Sequence, residues 1–162
     1  MSAPPLLQVD GLRMHFFTKA GVVKAVDDVS FRVERGEILG LVGESGSGKS
    51  MTGYSILGLV DPPGRIVEGR IVFDGTDLTQ LDAAAWRRIR GNRIAMIFQD
   101  PMMTLNPVLR IDTQIVEAVL AHADVSRESA LARAREALVK VGIASPDERL
   151  LSGHLYEVLL PA

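Results

Sequence analysis

The chain has 162 residues, 47% of them hydrophobic and 23% charged, an ordinary balance for one globular domain. A net charge of −2 gives no electrostatic case for a nucleic-acid binder, and the absence of cysteine excludes a disulfide framework, a cysteine zinc site and a thiol nucleophile. The longest uncharged stretch, Ser50 to Val60, is eleven residues, too short for a bilayer, and Met1-Ser2-Ala3-Pro4-Pro5 lacks the pattern of a secretion signal, so membrane association is expected through a partner.

In chain order, residues 6 to 42 read as β-rich. Leu12, Met14 and Phe16 alternate as a half-buried strand would, and Thr18-Lys19-Ala20-Gly21 marks a turn. Val22 to Val33 continues as strand, and Glu34-Arg35-Gly36-Glu37 reads as a tight turn into a buried strand over residues 37 to 42. Then comes Gly43-Glu44-Ser45-Gly46-Ser47-Gly48-Lys49-Ser50, the phosphate-binding pattern G-x-x-x-x-G-K-[ST], followed by a helix from Met51 that ends at Asp61-Pro62-Pro63-Gly64.

The pattern has a mechanism. Its glycines permit backbone angles that let successive N–H groups converge on phosphate oxygens. The helix behind it points its positive end at the same anion. Lys49 supplies a point charge for the outer phosphates and Ser50 a hydroxyl ligand for magnesium.

Further on, Arg70 to Phe73 reads as a strand, Asp74-Gly75 as a turn, and Asp82 as the cap of a short helix through Arg88. Ile94 to Phe98 is a second buried-strand candidate, apolar on both faces, and it ends in Gln99 before a loop with two prolines, Asp100 to Pro107. The last third is helical. Ile115, Val116, Val119 and Leu120 make one apolar face and Leu131, Ala134, Leu138 and Val141 another. Gly142 is a helix stop, and Ser145-Pro146-Asp147-Glu148 a helix start. Arg127, Arg133, Arg135 and Lys140, interleaved with Glu128 and Glu136, read as a solvated helix face.

Three stretches together carry a family resemblance: Ala25-Val26-Asp27-Asp28-Val29-Ser30-Phe31, Gly40 to Ser50, and Ile97 to Pro107. They resemble the nucleotide-binding subunit of ABC transporters, in particular of dipeptide and oligopeptide importers. The resemblance covers about residues 6 to 150. It implies an α/β fold, with a P-loop NTPase core of partial parallel sheet and helices joined to an N-terminal antiparallel β-subdomain. It implies ATP and Mg²⁺ as ligands, with Gly43, Glu44, Ser45, Gly46, Ser47, Gly48, Lys49, Ser50 and Met51 around the phosphates and Ser50 and Gln99 toward the metal. Gln99 would also be the residue near the attacking water. Phe16, or alternatively Phe17, would stack on adenine. Implied partners are transmembrane permease subunits and a second ATPase subunit at the cytoplasmic face of the membrane, with no nucleic acid and no membrane span of the chain's own.

The resemblance also has an end. In the family a signature motif, a second carboxylate-bearing strand and a switch histidine follow, and these 162 residues carry none of them. Leu151-Ser152-Gly153-His154 looks like a signature fragment but comes early and lacks the second glycine, and residues 151 to 162 read as a divergent tail. The expectation is an incomplete ABC ATPase domain, truncated or frameshifted near residue 150, that binds ATP without efficient hydrolysis. A non-catalytic nucleotide-binding or interaction protein that docks a transporter is the alternative. A DNA-repair type of P-loop ATPase is opposed by the net charge of −2 and by the loop from Met102 to Pro107. The transported substrate is left open by the sequence.

Overall fold

The computed structural model describes residues 4–99 and 105–151. The expectations placed on Asp100 to Thr104, and on Ser152, Gly153 and His154 in the tail, lie outside the described residues. The chain forms two compact units that meet in sequence between Arg90 and Gly91.

The first unit is built on an antiparallel sheet in the order β2-β1-β3-β4, with strands β1 Leu7–Thr18, β2 Gly21–Val33, β3 Gly64–Phe73 and β4 Thr76–Asp77. The expected antiparallel β-subdomain is therefore present. Val9, Leu12 and Met14 of the central strand β1 are fully buried, together with Ile71 and Leu78. Val9 and Leu12 are three residues apart, yet both point inward. The register shifts between them, and Gly11, at φ 55°, lies in the shift, so an added residue restores the inward face. Burial of each large side chain contributes roughly 1.5–3 kcal/mol. Asp74 (φ 47°) and Gly75 (φ 79°) both take the left-handed region and close the hairpin between β3 and β4, as an Asp-Gly pair does in a two-residue turn. Arg13 ties the sheet's polar face together: its guanidinium donates to Glu68 at 2.6 Å and lies 3.4 Å from Asp27, and the hydrogen bond to Glu68 is the main reason its pKa is raised.

Helix α1 spans Lys49–Ile56 and α2 spans Ala83–Ile89. Asp82 caps α2 as expected, accepting from the Ala85 N–H at 2.7 Å. Helix α1 ends earlier than the expected stop at Asp61. Gly58, at φ 61°, reverses the chain there; its N–H donates to Ser55 O and the Leu59 N–H to Tyr54 O, a Schellman closure.

Two sequence expectations differ from the structure. Residues 37 to 42 and 94 to 98 were expected as buried strands of a parallel sheet. Among the described residues neither forms a ladder, apart from an isolated bridge at Ile94. Ile38, Val42 and Ile97 are 95–97% exposed. The reason is that an extended segment becomes a strand only when a neighbour satisfies its N–H and C=O groups, and no described strand lies alongside these two.

The second unit is helical: α3 Ile111–Leu120, α4 Arg127–Lys140 and α5 Pro146–Leu151. Its core holds Ile111, Val116, Ala130, Ala134, Leu138 and Leu150. The inward face of α4 is thus Ala130, Ala134 and Leu138, while Leu131 and Val141, which had been expected there, are exposed. Small alanines let neighbouring helices approach closely, which hydrophobicity alone does not reveal. Gly142 (φ 77°) follows α4, and the basic face of α4 is exposed and carries ion pairs. Arg135 meets Asp147 at 2.7 Å and Lys140 meets Glu136 at 2.9 Å, the latter hydrogen bond holding the Glu136 carboxyl below its ordinary value.

Candidate functional site

The candidate site grows out of the turn that precedes α1. From Gly43 the chain runs through a turn at Ser45-Gly46 and enters the helix at Lys49. Gly46 (φ 81°) and Gly48 (φ 89°) occupy the left-handed region, where L side chains are strained. Gly48 has a second constraint. A Cβ there would stand 2.3 Å from the carbonyl oxygen of Ala25 on β2, so the loop is pressed against the sheet at a point where only glycine fits. A Cβ on Gly43 would come within 2.7 Å of Ser47 Oγ.

The consequence for chemistry lies at the helix start. Intrahelical bonding begins with the Thr52 N–H donating to Gly48 O at 2.8 Å, so the N–H groups of Lys49, Ser50 and Met51 have no partner within the helix. Helices α2 and α4 answer the same need with side chains, Asp82 and Ser126. The cap of α1 is Gly48, which has no side chain to offer. Its first-turn donors and its positive end are left for an anion. The Lys49 ammonium sits over the loop, donating to Gly43 O at 2.7 Å, Glu44 O at 2.6 Å and Ser47 Oγ at 3.2 Å. Ser50 is exposed beside it. Further along, Thr52 and Ser55 are buried and satisfied by the carbonyls of Gly48 and Met51, which fixes the inner face of the helix. These donors, this cation and an exposed hydroxyl fit a phosphate chain with its divalent metal.

The remaining expected residues lie apart from the loop in sequence. Phe16 is half-buried and pairs with Gly64 across the β1–β3 ladder; a Cβ on Gly64 would meet its ring at 2.7 Å, so glycine makes room for the aromatic. Phe17 is 39% exposed, and the Arg65 guanidinium lies 4.1 Å from its ring centroid. Gln99 is exposed and belongs to the second unit. Sequence reasoning did not anticipate the Ala25 carbonyl against Gly48. A backbone oxygen carries no residue-type signal, so nothing in the sequence could have shown it.

Comparison with known proteins agrees with these motifs. Residues 26–157 match the family described as ABC transporter. The chain is 49% identical over 146 residues to the probable peptide ABC transporter ATP-binding protein y4tR of Sinorhizobium fredii, covering 90% of this chain and 44% of that protein. It is 45% identical over 145 residues to the dipeptide transport ATP-binding protein DppD of Haemophilus influenzae, with the same coverage. It is 44% identical over 146 residues to the oligopeptide transport ATP-binding protein OppD of Bacillus subtilis, covering 90% of this chain and 41% of that one. The chain thus spans less than half the length of these relatives. Among solved structures it shares the fold of the dimeric ATP-binding cassette MJ0796 in a post-hydrolysis state bound to ADP and Pi. The TM-score is 0.77 at 22% identity, over 95% of this chain and 63% of that one. The α/β fold of an ATP-binding cassette is therefore the fold of these residues, and the chain belongs to the ABC transporter family.

Proposed function

We propose that the chain is the nucleotide-binding part of an ATP-binding subunit that serves an importer of peptides or similar small solutes. The observation that carries the reading is the start of α1: unpartnered N–H groups at Lys49, Ser50 and Met51, a glycine cap, and the Lys49 ammonium held over the loop. Residues Gly43 to Met51 wrap the phosphates, and Lys49 neutralises the outer ones. Ser50 Oγ would be a ligand for Mg²⁺, and the family resemblance gives Gln99 the role of the residue that serves the metal and the attacking water. Magnesium, when bound, spreads the charge of the phosphates. Phe16 offers a ring face to adenine.

Residues 1–150 form the N-terminal part of the ATP-binding domain in this reading. The subunit works at the cytoplasmic face of the membrane, docked to permease subunits and paired with a second ATPase subunit. Among the described residues no helix is long and apolar enough to cross a membrane, in keeping with attachment through a partner. These 162 residues supply the groups that hold the nucleotide, whereas turnover also needs a second carboxylate and a water-orienting group. Alone, they bind ATP and hydrolyse it slowly.

The test is a titration of the purified chain with magnesium and a fluorescent ATP analogue, alongside Lys49→Ala. Saturable binding that weakens at least about tenfold in the variant is expected, about 1.4 kcal/mol. Equal affinity of the two would overturn the assignment of the loop, and robust turnover by the chain alone would overturn slow hydrolysis.

A further inference from the structure

Helix α1 is gripped at the end opposite the loop. Its Schellman closure satisfies Tyr54 O and Ser55 O, but the carbonyls of Leu57 and Gly58 lie beyond that closure. Both accept from one side chain more than thirty positions away: Arg90 donates through Nε to Leu57 O at 2.7 Å and through Nη2 to Gly58 O. The last turn of α1 contains no basic residue of its own, so Arg90 is the cation that meets the negative end of this helix. The guanidinium is in turn stacked on Trp86, 4.4 Å from the ring centroid, one turn earlier along α2. Gly58 closes the arrangement. A Cβ there would stand 2.6 Å from the Trp86 ring and 2.8 Å from Arg90 Nη2, so the glycine admits both groups against its backbone.

We infer that Arg90, stacked on Trp86, is a positioning residue for the nucleotide loop: it fixes the C-terminal end of α1 and thereby aims the N–H groups of Lys49, Ser50 and Met51. The physical basis is the shortness of the helix. Eight residues span about 12 Å, so a tilt of about 5° about the far end displaces the first turn by about 1 Å. That is enough to weaken hydrogen bonds whose useful range is a few tenths of an ångström. A guanidinium suits the task because its donors lie in one rigid plane and hold two adjacent carbonyls in a fixed geometry, whereas the donors of an ammonium rotate freely on a flexible stem.

The inference rests on the nucleotide reading above, and its test separates the two. ATP-analogue affinity is measured for the unaltered chain, Lys49→Ala, Arg90→Ala, Arg90→Lys and Trp86→Phe, with circular dichroism to confirm folding. Hydrogen exchange along α1 is followed without nucleotide. Arg90→Ala is expected to keep its secondary structure, lose about tenfold in affinity and exchange faster at α1. Arg90→Lys should recover part of the affinity, and Trp86→Phe, which keeps a ring to stack on, should fall near the unaltered chain. Because Trp86 is the only tryptophan, its emission should shift on nucleotide addition in the unaltered chain, and Lys49→Ala should need at least about tenfold more nucleotide for the same shift. If the unaltered chain binds no ATP, the nucleotide reading fails, and the exchange data alone judge whether Arg90 holds α1. If Arg90→Ala melts at lower temperature but binds ATP as tightly as the unaltered chain, Arg90 is a structural brace only and the inference is overturned. Should Arg90→Ala fail to fold, Arg90→Lys carries the same comparison.

Discussion

At the scale of the residue, the site depends on glycines that do different things. Gly46 and Gly48 both have positive φ, but a Cβ on Gly46 would meet nothing within 4 Å, whereas one on Gly48 would strike the Ala25 carbonyl. Gly46→Ala therefore costs only backbone strain, roughly 1–2 kcal/mol. Gly48→Ala adds a collision with backbone that cannot swing away, so it is expected to exceed about 3 kcal/mol. Thermal melts of the two variants should differ, with Gly48→Ala well below Gly46→Ala; equal melting temperatures would show that the loop stands off the sheet. The motif from Gly43 to Ser50 could be read directly from the sequence because it combines residue types at fixed spacing. The reason Gly48 must be glycine could not, because the group it faces is a main-chain oxygen on another strand.

At the scale of the element, most boundaries follow local chemistry. The Asp74-Gly75 hairpin, the turn after Thr18, the Asp82 cap and the stop at Gly142 are set within a few residues, and all were legible. Asp82→Ala removes the hydrogen bond to the Ala85 N–H and should destabilise the first unit by about 1 kcal/mol in urea denaturation. No change would mean that water or another group serves that N–H equally well. Lys49→Ala is the complementary case. Helix α1 uses no side-chain cap, so that substitution should cost ligand affinity far more than stability. In α4 the packed face is not the one with the largest apolar side chains. Ala130, small and completely buried, decides the packed face, and Leu131 beside it turns outward.

At the scale of the whole molecule, the two apolar segments that precede the P-loop and Gln99 stand out. Ile38, Val42 and Ile97 are almost fully exposed, and exposed apolar side chains on extended segments are an invitation to association. Ile38→Ser combined with Val42→Ser should reduce light scattering of the concentrated chain without lowering its melting temperature, since neither side chain contributes burial. A fall in melting temperature would mean that these residues are covered in solution. Their apolar composition is legible in the sequence, but the ladder that would make them strands depends on neighbours.

The sequence by itself determined the G-x-x-x-x-G-K-[ST] loop, the family, the β-rich character of the N-terminal segment, the cap of α2 and the stop after α4, because each is encoded by residue types at short, fixed spacing. Only the tertiary structure decided which segments pair into sheet, which face of α4 turns inward, why Gly48 cannot be replaced, and that Arg90 reaches back to the far end of α1. Those outcomes depend on contacts between residues distant in the chain, where a partner's position rather than its type sets the energy.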